Sequence, residues 1–278
     1  MSDTIRQIDW KRMGVFTEGT DFNELLVVFV LATLGFTVFY YINKLVFPSL
    51  VRSVAGATSP FFDYDEREKD PSKREWKREK THREYYSRNV ADLHALIAAP
   101  LAIYACFNVC EDPDQNIFSN QQCLMTPTKA QLYLIVISTG YVTYDLFLCI
   151  FELGYSLRGF GGDFIMHHIV GIIGALAVLI AGRFNVALSA GNLVSEWTSF
   201  SMNMRWRFLK HKMADGNVYM VINAIFFFSY FGCRVIFMAA LILRNVQIQQ
   251  SFDIFSDPGL VSGAAVVSSV LQVALYLI

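Results

Sequence analysis

Residues Leu25 to Phe47 read LLVVFVLATLGFTVFYYINKLVF and contain a single charged side chain, Lys44. An α-helix rises about 1.5 Å per residue, so about 20 apolar residues cross the hydrocarbon core of a bilayer. This stretch is long enough and apolar enough to be a membrane span. The polar segment before it, Met1 to Asn23, lacks the basic start, short apolar core and cleavage site of a signal peptide, so we expect the span to be retained.

Further apolar stretches of similar length follow along the chain. The composition agrees with a membrane protein, because 54% of the residues are hydrophobic, 17% are charged and the mean hydropathy is +0.38. The sequence therefore predicts an all-α fold, a polytopic transmembrane helix bundle of about seven spans, with a tight hairpin turn at Gly182-Arg183. The further spans are roughly Asn89 to Val109, Ala130 to Phe151, Phe164 to Ala181, Phe184 to Met202, Val218 to Leu243, and Leu260 to Ile278.

The basic residues are distributed unevenly between the two sides of the predicted bundle. Sixteen Lys and Arg residues fall in loops on one side and six on the other. By the positive-inside rule the richer side is cytosolic, which places the N-terminus in a lumen or outside and the C-terminus in the cytosol. Without the mixed-charge run Arg67 to Arg88 the bias is seven against six. The net charge of −1 gives no reason to expect nucleic acid as a partner.

Two segments outside the spans leave alternatives open. The charged run Asp63 to Arg88 predicts a solvated or interfacial helix, with Pro71 at a break or in its first turn. It is either a charged connector or a surface that touches anionic lipid headgroups. Cys110 and Cys123 fall near the predicted lumenal loop, where they either form a disulfide or stay unpaired.

Ionisable residues inside the predicted spans are few, and most lie at one depth. A charged side chain at the bilayer centre costs at least about 2.5 kcal/mol, so such residues face a polar interior and are functional by default. All but the last of them fall in the cytosolic half of their spans, which predicts a shared polar cavity. They are Asp92, His94, Asp145, His167, His168, Glu196 and Arg234.

Each of these residues also has a structural interpretation. Asp92, at the first turn of its predicted span, is expected to stabilise a helix N-terminus. Asp145 is a helix-to-helix hydrogen-bonding group or a site residue, and Arg234 either finds an acceptor or reaches toward the nearer surface. The imidazoles of His167 and His168 point about 100° apart on a helix, so at most one squarely faces any given partner.

Four short segments in order along the chain resemble the successive signatures of the TLC domain family, which is named for the TRAM proteins, the Lag1 ceramide synthases and a neuronal ceroid lipofuscinosis protein. The resemblance covers Ser87 to the C-terminus. It implies a division into residues 1–86, with the first span and a charged cytosolic loop, and a six-helix transmembrane domain at 87–278. The segments are SRNVADLHA from Ser87, GYVTYD from Gly140, DFIMHH from Asp163, and the stretch from Ser195-Glu196 to Asn203-Met204-Arg205-Trp206.

The resemblance implies lipid handling in a cavity between helices and an endomembrane location such as the endoplasmic reticulum. In the ceramide synthase branch it implies transfer of an acyl group from acyl-coenzyme A to a sphingoid amine. The residues Ala187 to Leu193 read ALSAGNL and lack the later His-Asp and the further Asp of the Lag1 motif. This chain is therefore more similar to the subgroup without the full motif.

Two functions follow as hypotheses. In the first, the protein binds, transports or regulates a membrane lipid in the polar cavity, as part of lipid homeostasis. In the second, it is an acyl-CoA-dependent lipid acyltransferase, with acyl-CoA as co-substrate and no bound cofactor. In the second hypothesis the residues that carry the reaction are His168 or His167 as general base, Glu196 to orient it and His94 as partner, while Asp145, Asp92 and Arg205 bind substrate.

Further expectations concern partners and metals. Membrane lipids are the expected ligands, and a second copy of the chain or another membrane protein is a candidate partner. We predict no metal site, because the five His residues nowhere place two ligands at i and i+4 on one of these helices; a single zinc bound by His94, His168 and a carboxylate is the alternative.

Overall fold

The computed structural model describes residues 21–55, 70–108, 110, 114–159, 161–182, 184–211, 213 and 215–251. Every regular element in these ranges is helical, which confirms the predicted all-α class. The elements are α1 (Phe22–Ala55), α2 (Pro71–Phe107), α3 (Gln121–Met125), α4 (Lys129–Phe151), α5 (Gly162–Ala181), α6 (Phe184–Asn192), a 3₁₀ turn (Leu193–Glu196), α7 (Trp197–Lys210), α8 (Asn217–Tyr230), a π-helical segment (Phe231–Phe237) and α9 (Met238–Ser251).

Within the described part of the chain, five helices are long and apolar enough to cross a membrane by length and composition. They are α1, α2, α4, α5 and the continuous helix Asn217–Gln247, which is made of α8, the π-helical segment and most of α9. The polytopic membrane bundle is thus confirmed. The predicted span Leu260 to Ile278 lies outside the described residues.

The predicted fifth span, Phe184 to Met202, is not one uninterrupted α-helix. It is divided into α6, the 3₁₀ turn and α7, which carries on to Lys210. This segment is less apolar than a simple membrane span because one of its faces is polar. Ser189, Asn192 and Glu196 follow each other at helical spacing on that face and line a cavity. The helix hairpin before it turns at Gly182, which has a positive φ of 62°.

Helix α2 begins well before its predicted span. Asp70 caps it, accepting hydrogen bonds from the Ser72 backbone N–H at 3.0 Å and the Ser72 hydroxyl at 2.7 Å, and these bonds lower the pKa of Asp70. Pro71 occupies the first turn, as the sequence indicated. The prediction of Asp92 in a helix's first turn is wrong, because residues 71–88 of the charged run and the apolar run after them form one helix of 37 residues.

Helix α4 lies at the centre of the bundle and contacts α1, α2, α5 and α6. Its approach to α1 is closest at Gly140, where an added Cβ would lie 2.8 Å from the Cβ of Ala32 and 3.1 Å from the carbonyl oxygen of Phe29. Small residues allow helix backbones to approach in this way. On α2, Ala98 and Ala102 are buried in an apolar core to which α4 contributes Leu132 and Ile135.

The structure decides between the two alternatives for the cysteines. Cys110 and Cys123 form a disulfide. The other three cysteines, Cys106, Cys149 and Cys233, are free thiols. The bridge joins the segment after α2 to helix α3.

Candidate functional site

Asp145 of α4 and His168 of α5 form a buried pair. Their Oδ2 and Nε2 atoms are 2.9 Å apart, with side-chain exposures of 13% and 9%. The other ring nitrogen, Nδ1, lies 2.5 Å from the carbonyl oxygen of Phe164, to which it must donate. Both nitrogens of His168 are therefore occupied, and the carboxylate beside this imidazole is Asp145 rather than Glu196.

His94 of α2 is held differently. Its Nε2 lies 3.1 Å from the hydroxyl of Ser138, and its ring stacks on Tyr141 with centroids 3.9 Å apart. Its Nδ1 is 3.7 Å from Oε2 of Glu196, a separation too long for a hydrogen bond, and it is buried without a hydrogen-bond partner among the described residues. His94 and Glu196 are thus neighbours, with space between their polar atoms.

A cavity of about 150 Å³ lies between α4, α5, the segment from α6 through the 3₁₀ turn, and the π-helical segment. Its wall carries both charges and hydrogen-bonding groups. His94, Asp145 and His168 are not among the lining residues. The polar lining consists of Ser138, Thr139, His167, Ser189, Asn192, Ser195, Glu196 and Arg234.

His167 is the imidazole of the pair that lines this cavity. Its ring stands nearly perpendicular to that of His168, at 89°, with centroids 5.8 Å apart. One member of the pair thus faces a protein carboxylate and the other faces the cavity, as the helical rotation of about 100° per residue requires.

Arg234 also lines the cavity and was not included among the predicted site residues. It lies in the π-helical segment, and its Nε donates to the hydroxyl of Thr198 at 3.0 Å. Of the two alternatives for Arg234, the structure thus shows the first: its acceptor is a hydroxyl group of α7. Single π-helical turns inside α-helices are frequent at functional sites. The i, i+3, i+7 spacing of Ser189, Asn192 and Glu196 was the other signal that could have identified this cavity wall.

Two further predicted site residues, Asp92 and Arg205, are also absent from the cavity lining. Asp92 pairs with Arg207 of α7 and accepts a hydrogen bond from Asn203 at 2.8 Å. Arg205 donates from Nε to Asn223 at 2.8 Å. The predicted span ended at Met202, which would leave Arg205 in the loop after it, but α7 extends to Lys210 and includes Arg205.

The described residues include no group of three or more His, Cys, Asp or Glu side chains arranged to hold a metal ion. The ionisable groups are instead arranged in pairs, Asp145 with His168 and His94 near Glu196, each joining residues from different helical segments.

These features define the class: a multi-span helical membrane protein with ionisable side chains around an internal polar cavity. The family model of the TLC domain matches residues 87–278, and the chain belongs to that family. No curated protein and no solved structure matches it. All the cavity residues lie within the matched range.

Proposed function

We propose that the protein binds a membrane lipid with its headgroup in the internal polar cavity, and thereby transports that lipid or regulates its level. One observation carries this proposal: Glu196, Arg234 and His167 line a single cavity together with several hydroxyl and amide side chains. Charged groups inside a bilayer are costly unless they are paired or hydrated. A polar headgroup supplies such partners.

The size of the cavity and the surface of α5 support the same function. About 150 Å³ has room for a headgroup and is well below the 300–1,000 Å³ or so of pockets that enclose whole drug-sized ligands. The acyl chains of the lipid would therefore stay outside the cavity. Helix α5 exposes large apolar side chains, including Met166, Ile173 and Leu176, which suit contact with acyl chains.

Acyl transfer is the second candidate function, and His167 is the observation that favours it. This imidazole lines the cavity that also contains Glu196, so it is placed to act as a general base. In this reaction His167 takes the proton of a lipid amine or hydroxyl as that group attacks the thioester carbon of acyl-CoA. The C–S bond breaks, and the coenzyme A thiolate leaves and is protonated.

One experiment tests both candidates. The full chain is purified in mild detergent, its bound lipids are identified by mass spectrometry, and it is then reconstituted with labelled acyl-CoA and a panel of sphingoid and glycerolipid acceptors. Lipid binding predicts a defined co-purifying lipid class whose amount falls in the His167→Ala variant. Acyl product that disappears in the same variant supports the enzyme.

Two results would count against these functions. Lipids that co-purify in the proportions of the host membrane, without enrichment, would overturn the binding function. If no acceptor yields product, the acyltransferase is excluded for that panel. Arg244→Gln is the matched variant, since Arg244 lies in α9 and does not line the cavity.

We also propose an endomembrane location, with a lumenal N-terminus and a cytosolic C-terminus. The disulfide between Cys110 and Cys123 supports this orientation, because disulfides persist in oxidising compartments and the positive-inside rule places the same loop in the lumen. Sealed membrane vesicles provide the test. A membrane-impermeant reductant should leave the disulfide intact until detergent is added, whereas reduction in sealed cytosol-side-out vesicles would reverse the orientation.

A further inference from the structure

Arg234 presents an incompletely used guanidinium to the cavity. Its Nε bonds to Thr198, a residue only 3% exposed that in turn donates to the carbonyl oxygen of Ser195 at 2.7 Å. Within the described part of the chain, Arg234 is in no ion pair, and its terminal nitrogens have no hydrogen-bond partner. Thr198 therefore fixes the direction of the side chain while the two terminal NH₂ groups stay available.

An oxyanion is the ligand that those two NH₂ groups fit. A guanidinium presents parallel donors that match two oxygens of a phosphate or carboxylate. The ring of Tyr230, 5.9 Å from Cζ, offers an aromatic contact but no negative charge. The guanidinium cation lies in an apolar helix, where an anion stabilises it most. Such an anion can reach it through the cavity.

Glu196 places the opposite charge on the same cavity. Its Oε2 accepts a hydrogen bond from the Ser199 hydroxyl at 3.2 Å and is the atom nearest to His94. Its Oε1 has no partner among the described residues. One carboxylate oxygen is therefore available to a cationic donor on the ligand.

We infer that the cavity binds a lipid headgroup that carries both an oxyanion and a protonated amine, with Arg234 on the oxyanion and Glu196 on the ammonium. This inference rests on the proposed lipid-binding function and specifies its ligand class. A cavity of about 150 Å³ holds the volume of about five water molecules, which suits such a headgroup without its acyl chains.

Selectivity follows from the two charges. An anionic phospholipid without an amine leaves Glu196 unpaired, and a sphingoid amine without an oxyanion leaves Arg234 unpaired. Each mismatch leaves a charged group in a low-dielectric site without its partner. A primary ammonium also donates hydrogen bonds to the carboxylate, which a quaternary ammonium cannot do.

The test measures lipid binding to the purified full-length protein in detergent by native mass spectrometry. The probes are phosphatidylethanolamine, phosphatidylcholine, phosphatidylglycerol, sphingosine and a free fatty acid. Soluble phosphoethanolamine is added to distinguish binding of a whole lipid from binding of the free headgroup. We expect phosphatidylethanolamine to bind most tightly. Loss of one charge-assisted contact should weaken that binding about tenfold or more in Arg234→Gln and in Glu196→Gln.

The two variants should change selectivity in opposite directions. Glu196→Gln should gain phosphatidylglycerol binding relative to wild type, Arg234→Gln should gain sphingosine binding, and Arg234→Lys should restore part of the phosphatidylethanolamine binding. The matched control is Arg244→Gln. Arg244 lies in α9, donates to the carbonyl oxygen of Ile117 at 3.2 Å and does not line the cavity, so its variant should bind like wild type.

The outcomes separate this inference from the proposed function. Phosphatidylethanolamine bound by wild type, with lipid selectivity unchanged in both cavity variants, would overturn the headgroup assignment and leave lipid binding standing. If wild type binds none of the probes, the proposed function fails and this inference fails with it. If Arg234→Gln does not fold, Glu196→Gln decides alone, by gaining phosphatidylglycerol binding or not.

Discussion

The Nε2 atom of His168 lies 2.9 Å from Oδ2 of Asp145, and the Nδ1 atom of the same ring lies 2.5 Å from a backbone carbonyl. This pair joins α4 to α5 and leaves His168 no nitrogen for a substrate. We therefore expect Asp145→Leu to destabilise the protein by about 3 kcal/mol, because it removes the hydrogen-bonding partner of a buried imidazole. Thermal unfolding in detergent measures the change.

The matched control for this pair is His167→Ala. His167 lines the cavity and bonds to no described residue. Its replacement should therefore lower the free energy of unfolding by about 1 kcal/mol or less, while it removes the proposed lipid binding. Equal melting temperatures for Asp145→Leu and wild type would show that the pair does not hold the two helices together.

Asp92 and Arg207 should show strong energetic coupling. They tie α2 to α7, their side chains are only 13% and 17% exposed, and Arg207 also donates to Asn89 at 3.0 Å. A double-mutant cycle with Asp92→Asn and Arg207→Gln should give a coupling energy of about 1–3 kcal/mol.

An exposed pair on α2 provides the comparison for that cycle. Arg78 and Glu75 lie 3.1 Å apart with exposures of 37% and 53%, and their coupling should stay below about 0.5 kcal/mol. A coupling of the same size in both cycles would contradict a special role for Asp92 and Arg207.

Two glycines should respond oppositely to alanine. A methyl group at Gly140 would meet Ala32 at 2.8 Å, so Gly140→Ala must push α1 away from α4 and should cost about 1–3 kcal/mol. Gly35 has no atom within 4 Å of the added Cβ. Gly35→Ala should therefore stabilise helix α1 by about 0.5–1 kcal/mol. Chemical or thermal unfolding in the same detergent compares them, and a neutral Gly140→Ala would mean that the helices are not in close contact.

The stability of the protein should depend on pH through His211, which follows α7. Its Nε2 is 2.6 Å from the hydroxyl of Tyr85, and burial, with help from the charge of Arg207, lowers the pKa of His211 below its ordinary value of 6.5. The unfolded chain then binds this proton more readily than the folded chain. Stability should be fully present above pH 6.5 and should fall as the pH drops below that value.

The control for the pH effect is His211→Gln, which keeps a hydrogen-bonding side chain and has no proton to gain. Melting temperatures between pH 7.5 and 5.5 should fall less steeply in this variant than in wild type. A wild-type profile that is flat, or that His211→Gln leaves unchanged, would assign the dependence to other groups.

The apolar runs predict much of this fold and fail where polarity changes within one helix. The predicted span Ala130 to Phe151 corresponds to α4 within one residue, and a capping box between Thr128 and Gln131 fixes the start of the helix. The start of α2 was misplaced because hydropathy reports which residues enter lipid, whereas a helix continues through the interface. The sequence signal for the true start of α2 is the local capping sequence Asp70-Pro71.

The sequence predicts how deep the candidate site residues lie in the membrane, but it does not predict which of their side chains pair. Position along each span placed Asp145, His168 and Glu196 near one level, whereas the choice of Asp145 for His168 depends on how α4 and α5 rotate against each other. The role of Arg234 depends on a π-helical turn, which an apolar sequence pattern does not reveal.

The unbroken course of α2 has a mechanical consequence. Its 37 residues extend about 55 Å, and hydrocarbon covers only about 30 Å of that length. The remainder, which carries residues 71–88 of the charged run, is continuous with the part of α2 that holds His94 against Ser138 and beside Glu196. A tilt of the aqueous part of α2 should therefore displace His94 beside Glu196, which lines the cavity, and so couple the position of the helix at the membrane surface to the interior of the bundle.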